Sequence, residues 1–261
     1  MINFKKNYQI MGIVNTTPDS FSDGGKYQTL EKALQHAQQL IEEGADILDI
    51  GGQSTRPGYH EVSSKIEMAR VINLIKEIRK ISSIPLSVDT YYPTVAEVAI
   101  QNGASIINDI KGLDSPRMAE TVASYPGIQL IIMHSRKRKD TILVEELQQF
   151  YEEKIRQCQK WKIPLENICF DPGIGFHKTL EENSAILKNP SAFRYQEFPL
   201  LIGLSRKRII GLMTGEENPI ERDFGSVAAS LFVANQGVEL IRTHNVKSLK
   251  QAFDVWTQLK K

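Results

Sequence analysis

The chain has 261 residues, of which 41% are hydrophobic and 24% charged, so it can bury one large core as an ordinary globular protein does. A formal net charge of +1 gives no support to a general nucleic-acid-binding or membrane-binding surface. The sequence contains neither a signal-peptide run near its start nor an apolar run of membrane-spanning length, and Cys158 and Cys169 lack Cys-x-x-Cys spacing. We therefore expect a cytoplasmic protein with reduced, buried cysteines.

Apolar runs and amphipathic segments alternate from the start of the chain. Residues 1–9 are expected to form an N-terminal extension, and the apolar run 10–14 predicts a first strand that ends at Asn15. Apolar residues at helical spacing over 30–41 predict a helix, and 46–50 predicts a second strand. A long loop with turn-forming residues follows each of these strands, and long loops in compact domains are usually functional or disordered.

The middle of the chain repeats this order. Ser64 and Glu67 have the spacing of a capping box, which predicts the start of a second helix. Residues 85–90 and 104–109 predict strands three and four, and Pro93 suits the first turn of the helix between them. Both strands end in acidic or amide side chains.

The next units follow the same pattern. A short helix over 115–125 leads to strand five at 130–133, which ends at His134. A long amphipathic helix is predicted around 147–158. A sixth short apolar run then ends in Asp171, directly before a Pro-Gly-x-Gly turn that stops the strand. A buried strand that delivers a single carboxylate to its tip indicates a site.

The last two units complete the architecture. Strands seven and eight are predicted over 199–204 and 238–241, with two helical pieces separated at 215–219 and a last helix over 249–259. Eight strand–helix units with near-continuous apolar strands favour a parallel sheet covered by helices. In this chain length they predict a single α/β domain over 1–261, a closed (β/α)8 TIM barrel. An open, doubly wound sheet is the alternative.

In such a barrel the C-terminal ends of all strands lie on one face, where active sites are found. Polar residues that are far apart in sequence would then be neighbours. They are Asn15, Thr55, Arg56, Asp89, Asn108, Asp171, Lys207, Arg242 and His244.

One half of this set suits an anion. Arg56 belongs to loop two, and Arg242 and His244 follow strand eight, with loop one and Asn15 between them. Arginine offers a rigid fork of donors that matches phosphate oxygens. The loops after strands seven and eight are also a common phosphate site in this architecture. These residues predict a phosphate or diphosphate site.

The other half suits a flat heterocycle. Asp89 and Asp171 can accept hydrogen bonds from amino and ring N–H groups, Asn108 can donate and accept, and Lys207 can donate to a carbonyl or ring nitrogen. The residues alone therefore predict a small planar heterocycle that carries a phosphate or diphosphate.

Each of these residues also has a purely structural interpretation. Asp89 and Asp171 could cap helices or turns, Asn108 could satisfy a turn, and His244 could hold a backbone carbonyl. The basic segment 136–139 is expected to be a solvated loop rather than a nucleic-acid-binding patch.

Seven short segments, in this order, resemble the signature segments of the dihydropteroate synthase family. They are 15–25 (NTTPDSFSDGG), 54–58 (STRPG), 87–90 (SVDT), 108–110 (NDI), 171–175 (DPGIG), 205–207 (SRK) and 242–244 (RTH). The resemblance runs from about residue 9 to the C-terminus, and the first two segments are the most specific.

The resemblance implies an activity in folate biosynthesis. The family condenses 6-hydroxymethyl-7,8-dihydropterin diphosphate with 4-aminobenzoate, which gives 7,8-dihydropteroate and diphosphate. It implies Mg²⁺ as cofactor, a homodimer and inhibition by sulfonamides. It also implies a dissociative path in which the arylamine attacks a pterin cation.

The resemblance assigns roles position by position. Asn15 corresponds to the magnesium ligand. Thr55, Arg242 and His244 correspond to diphosphate-site residues, with Arg56 at the same end.

The substrate-binding positions follow in the same way. Asp89, Asn108, Asp171 and Lys207 correspond to the pterin-binding set. Ser205 corresponds to an aminobenzoate contact, together with the loops after strands one and two, and Phe176 lies at the pocket rim. The residues expected to act in catalysis are Asn15, Asp89, Asp171, Lys207, Arg242 and His244.

Three positions depart from the family pattern. Gln53 stands where many members carry glutamate, His177 stands where they mostly carry glycine or alanine, and 135–139 is unusually basic. Two alternatives stay open. One is a pterin-dependent methyltransferase, which shares the barrel, and the other is a paralogue that binds pterin without turnover.

Overall fold

The computed structural model describes residues 8–16, 26–53, 61–139 and 141–260. Eight parallel strands form one sheet in the order β6-β5-β4-β3-β2-β1-β8-β7. The two edges of this sheet meet where the Phe170 backbone N–H donates to the Pro199 carbonyl at 2.9 Å. The fold is therefore a TIM barrel, as predicted, and not an open doubly wound sheet.

The strands and helices alternate along the chain. The strands are β1 (Gln9–Asn15), β2 (Ile47–Gly51), β3 (Leu86–Asp89), β4 (Ile106–Asp109), β5 (Gln129–Met133), β6 (Ile168–Asp171), β7 (Leu201–Gly203) and β8 (Leu240–Thr243). The helices are α1 (Lys26–Glu42), α2 (Ser64–Ile81), α3 (Pro93–Gln101), α4 (Met118–Ala123), α5 (Leu143–Lys160), α6 (Leu180–Lys188), α7 (Arg208–Thr214), α8 (Asp223–Asn235) and α9 (Val246–Leu259).

Most predicted elements are confirmed within a few residues, and the exceptions have local causes. The predicted capping box of α2 is wrong, because Ser63 caps this helix by accepting from the Ile66 N–H. Glu67 is instead turned inward and almost fully buried. A genuine capping box, formed by Thr179 and Glu182, starts α6, a helix that periodicity alone did not reveal.

The basic segment after β5 is a loop, as predicted, but only Lys137 and Lys139 are exposed, whereas Arg136 and Arg138 are half-buried in ion pairs. The Arg136 guanidinium donates to Asp114 (Nε to Oδ2, 2.7 Å) and to Glu153 (Nη1 to Oε2, 2.8 Å). Arg138 donates to Glu146 and, through Nε, to Glu182 at 2.8 Å. These arginines attach the segment to α5 and α6 by ion pairs. The sequence did not predict these ion pairs because most of the acidic partners are distant along the chain.

The interior of the barrel is closed by an apolar cluster that we call the apolar floor. Both cysteines are buried and unpaired, as expected, and Cys169 belongs to this cluster. Among the described residues, no helix is long and apolar enough to cross a membrane. The floor consists of Met11, Ile47, Ile106, Ile131, Cys169, Leu201 and Leu240.

Candidate active site

The polar side chains lie one step above the apolar floor. In a strand, residues i and i+2 point to the same face, so the residues two positions beyond the floor also face the barrel interior. We call them the upper set. They are Ile13, Asp49, Asn108, Met133, Asp171, Gly203 and Arg242.

Arg242 lies at the centre of this group. It belongs to β8 itself rather than to the loop after it, since β8 extends to Thr243. Its Nε donates to Asp49 Oδ2 at 2.6 Å, and its Nη2 lies 3.2 Å from Asp89 Oδ2. The guanidinium therefore joins β8 to β2 and β3 across the barrel mouth.

Asp49 is a member of the group that the sequence interpretation missed. Its side chain is fully buried, and it accepts from Ser87 Oγ at 2.6 Å and from Asn108 Nδ2 at 3.4 Å in addition to Arg242. A signal existed, because Asp49 interrupts the buried strand β2 two residues after Ile47 of the floor. Only the register between strands shows that this position faces the arginine.

Among the described residues, several buried oxygen atoms have no hydrogen-bond partner, and two of these belong to this group of side chains at the barrel mouth. They are Oδ1 of Asp89 and Oδ1 of Asn108. Neighbouring strands carry them, because Asp89 of β3 pairs with Asn108 of β4. Buried polar atoms without partners are rare and costly, so these acceptors indicate a place for a ligand with N–H or O–H donors.

Asp171 and Lys207 lie on the β6 and β7 side of the same mouth. Asp171 accepts the Gly173 N–H at 2.7 Å through Oδ1, so part of its role is to hold its own turn. Lys207 Nζ donates to the Ile174 carbonyl at 2.6 Å. Asp171 is the last residue of β6, and Lys207 lies in the loop between β7 and α7.

Burial changes the proton affinities of these charged groups. It raises the pKa of Asp171, and the charge of Lys207 opposes this change. Burial lowers the pKa of Lys207 to about 8, although the nearby Asp171 carboxylate counteracts it. For Asp89, burial raises the pKa, and the Arg242 guanidinium opposes the shift. Asp89, Asp171, Lys207 and Arg242 thus lie close enough to influence one another.

Apolar and aromatic side chains form the rim beside these groups. Phe176 packs against a cluster of Tyr91, Ile110 and Met133. The Lys207 ammonium lies 5.1 Å from the centre of the Phe176 ring. The rim can therefore contact the faces of a flat ligand, and the polar members of the upper set are placed to contact its edge.

Ser205, His244 and Asn15 lie at the adjoining ends of β7, β8 and β1. The Ser205 hydroxyl lies 3.0 Å from His244 Nδ1 and accepts the His244 backbone N–H at 3.1 Å. Asn15 ends β1 beside Gly51, and a Cβ built on that glycine would lie 3.6 Å from Asn15 Oδ1. Thr55 and Arg56 lie outside the described residues.

The observed contacts argue against a helix-capping role for Asp89 and a turn-holding role for Asn108. Asp89 does not cap α3, whose N-cap is Tyr92, and Asn108 bonds to Asp49 rather than to a turn. The turn after β4 is held by Asp109, which accepts the Lys111 and Leu113 N–H groups at 2.9 and 2.8 Å. His244 contacts the Ser205 hydroxyl.

Comparison with known proteins gives the family. The model of the family described as "Pterin binding enzyme" matches residues 11–244. The dihydropteroate synthase of Bacillus subtilis is 42% identical over 250 residues, which cover 95% of this chain and 87% of that protein. This chain belongs to the dihydropteroate synthase family.

Solved structures of family members agree with the fold. The Xanthomonas albilineans dihydropteroate synthase with 4-aminobenzoic acid superimposes with a TM-score of 0.92 at 40% identity, covering 98% of this chain and 94% of the other. The same enzyme in complex with 7,8-dihydropteroate gives a TM-score of 0.91 at 37% identity, covering 99% and 95%. These relatives place the chain with the synthases rather than with pterin-dependent methyltransferases.

Proposed function

We propose that this member of the dihydropteroate synthase family condenses 6-hydroxymethyl-7,8-dihydropterin diphosphate with 4-aminobenzoate, forming 7,8-dihydropteroate and diphosphate. The observation that supports it most directly is the pair of buried acceptor oxygens without partners, Asp89 Oδ1 and Asn108 Oδ1, at the mouth of the barrel. A pterin presents amino and ring N–H donors, which would satisfy both atoms.

The remaining pterin contacts follow from the geometry of β6 and β7. The Asp171 carboxylate would accept from the pterin edge while its Oδ1 keeps the bond to Gly173. Lys207 would donate to the pterin carbonyl or to a ring nitrogen, and Phe176 would pack on the ring face. These contacts would hold the heterocycle in one orientation, with its methylene directed towards the mouth of β1 and β8.

Arg242 would serve both halves of the substrate. Its Nε and Nη2 atoms are directed to Asp49 and Asp89, and among the described residues none bonds to Nη1. The guanidinium can therefore keep its place above the floor and still donate to the leaving diphosphate. His244, with Thr55 and Arg56 from loop two, would complete the anion site.

The residues present fit Mg²⁺ bound through the substrate. In the described part of the chain, no group of three or more acidic, histidine or cysteine side chains could hold a metal ion. Mg²⁺ is commonly bound by one or two protein oxygens, substrate phosphates and water, so the Asn15 amide oxygen would suffice as the protein ligand. The ion would neutralise charge that develops on diphosphate.

The chemistry then needs no protein nucleophile. The bond from the pterin methylene carbon to the diphosphate oxygen breaks, and its electron pair leaves with diphosphate, next to Arg242 and His244. The Asp89 and Asp171 carboxylates would favour the positive charge that spreads over the pterin. The 4-aminobenzoate nitrogen forms the new C–N bond and loses a proton. Sulfonamides, as arylamine analogues, would compete for the amine position near Ser205.

A homodimer fits the outer surface. A groove of about 490 Å³ between α8 and α9 is lined mainly by apolar residues, and Phe224 and Leu259 at its sides are 87% and 81% exposed. Large exposed apolar patches mark protein interfaces, and an isologous contact with a second copy would cover this one. We expect a cytoplasmic dimer. Light scattering should give twice the chain mass, and Phe224→Glu should give monomers, whereas Ile142→Glu at the start of α5 should not.

The activity is tested by measuring diphosphate release from the purified protein with Mg²⁺. Release should require both the pterin diphosphate and 4-aminobenzoate. If the protein binds pterin but releases no diphosphate, the non-catalytic paralogue is favoured. Methyl transfer from a methylfolate would favour the methyltransferase.

A further inference from the structure

We propose that Asp49 is a positioning residue for this reaction, which orients the Arg242 guanidinium and the Asn108 amide towards the substrate. The inference rests on the proposed function of the same site. Asp49 lies inside β2, and no atom of its side chain is exposed to solvent. It therefore acts from beneath the ligand and not by contact with it.

The hydrogen bonds of Asp49 are all made within the protein. Its Oδ1 accepts from Ser87 Oγ at 2.6 Å, and its Oδ2 accepts from Arg242 Nε at 2.6 Å and from Asn108 Nδ2 at 3.4 Å. Asp89 differs, because its Oδ2 contact with Arg242 is longer, at 3.2 Å, and its Oδ1 has no partner in the described part of the chain. Asp49 thus holds the arginine, and Asp89 retains an oxygen for a ligand.

Asp49 also determines which end of the Asn108 amide faces the pocket. A carboxylate can only accept hydrogen bonds, so it must face the NH₂ group of the Asn108 amide. The amide oxygen is then directed away from Asp49 and is one of the buried acceptors at the mouth that no described residue satisfies. Without the negative charge, the amide could rotate and present a donor to the substrate. By orienting this oxygen, Asp49 would make the pocket specific for a heterocycle edge that carries N–H donors.

The orientation of the Arg242 guanidinium depends on the negative charge of Asp49 as well. The hydrogen bond from Nε to Asp49 fixes the plane of the guanidinium. Gly203 on the neighbouring strand lies close to Arg242, since a Cβ built on it would be 3.5 Å from Arg242 Cβ, but it has no side chain that could orient the arginine. A short charge-assisted bond of this kind is stronger than a neutral one. Loss of the Asp49 charge should leave Arg242 to move towards Asp89 and to occupy the atom that the pterin needs.

The test is Asp49→Asn, which keeps the shape of the side chain and removes its charge. We expect kcat/KM for the pterin diphosphate to fall by about 10- to 100-fold, the scale of one charge-assisted hydrogen bond. Calorimetry should show weaker binding of the pterin diphosphate. The matched control is Glu239→Gln, which removes the charge from the Arg194–Glu239 ion pair (2.8 Å) just before β8 and should leave kcat/KM unchanged.

A double-mutant cycle separates positioning from general structural damage. Arg242→Lys keeps the positive charge but cannot bond to Asp49 and Asp89 with a planar fork. This cycle tests the part of the role that depends on Arg242. If Asp49 orients Arg242, Asp49→Asn should cost clearly less in the Arg242→Lys background than in the wild type, and the loss that remains there reports the contact with Asn108. Additive losses, or an Asp49→Asn variant with wild-type kcat/KM, would overturn the inference.

The proposal can still be tested if the wild-type protein is inactive or if Asp49→Asn does not fold. If the wild-type protein shows no diphosphate release, the proposed function fails, and Asp49→Asn can still be judged by pterin binding in calorimetry. If Asp49→Asn does not fold, Ser87→Ala decides instead, because it removes only the neutral hydroxyl bond to Asp49. A three- to tenfold loss of kcat/KM in Ser87→Ala would support the role of Asp49, and unchanged kinetics would contradict it.

Discussion

The apolar floor and the upper set are separated by two residues on the same strands, and at four of the seven strands an apolar or thiol side chain in the floor is followed by a charged or amide side chain in the upper set. Ile47 of the floor is followed by Asp49, Ile106 by Asn108, Cys169 by Asp171 and Leu240 by Arg242. Their backbone environments match, since the same parallel register holds both levels. The comparison shows how the barrel separates stability from chemistry: the floor fills space, and the upper set accumulates charge.

The difference also explains why charges can be buried here. Asp49, Asp89 and Arg242 are not stable singly in a low-dielectric interior, but each one has an opposite charge within hydrogen-bond distance. Below them, the side chains of the floor are fully buried and are apolar apart from the Cys169 thiol. Substitutions in the upper set should therefore affect activity first, whereas substitutions in the floor should affect stability first.

The largest expected effect comes from Arg242→Ala. It removes the cation shared by Asp49 and Asp89, so kcat/KM should fall by about 10³-fold or more. The free energy of unfolding should drop by about 3–5 kcal/mol, because two buried carboxylates lose their partner. Steady-state kinetics and urea unfolding measure the two effects. Retention of more than a tenth of the activity would remove Arg242 from the reaction centre.

A smaller loss is expected from Asp171→Asn. The pterin diphosphate should bind about 10- to 100-fold more weakly, because a charge-assisted hydrogen bond becomes a neutral one. Asp109→Asn is the matched control, since Asp109 is equally buried but only holds the turn after β4. Calorimetry should show normal affinity for the control. Equal losses in both variants would mean that Asp171 acts only on its own turn.

The pH dependence of pterin binding should reflect the protonation of the Lys207 ammonium. Its pKa is lowered to about 8, so the ammonium that donates to the pterin is lost as pH rises through that value. Affinity should decline above about pH 8, whereas the contribution of Lys207 to stability should rise there, because the unfolded chain still holds the proton. Lys207→Arg should abolish the decline in affinity.

Lys178 is the control for this experiment. Burial also lowers its pKa to about 8, but its Nζ bonds to His134 and to the Phe176 carbonyl. Lys178→Met should leave the alkaline decline in place. If it abolishes the decline, the titrating group is Lys178 and the assignment of Lys207 is wrong.

The smallest expected effect belongs to the floor. Ile106→Val removes one buried methylene group and should lower the free energy of unfolding by about 1 kcal/mol. At a temperature where the variant is fully folded, kcat/KM should stay within about twofold of the wild-type value. A large kinetic loss without a change in stability would contradict the division between the floor and the upper set.

Much of the barrel could be predicted because its signals are local. Apolar runs ended by turn residues located each strand, and helical spacing located most helices. The helix α6 escaped because its signal lies in a capping box and not in periodicity. The site residues at strand ends were accessible for the same reason, since each one follows a recognisable apolar run. The role of Asp49 was not predicted because this residue lies inside β2, and only polar residues at the ends of apolar runs were considered as candidates for the site.

The amino-acid sequence by itself determined the eight strand–helix units, the polar residues at the strand ends and the resemblance of seven short segments to one family, because these depend on neighbours along the chain. Only the tertiary structure decided which charges pair. Arg242 and Asp49 are 193 residues apart, and their 2.6 Å contact exists only because β1 brings β8 and β2 to its two sides. The same closure leaves Asp89 and Asn108 each with one buried oxygen that no described residue bonds, because such unpaired atoms result from the packing of several strands together.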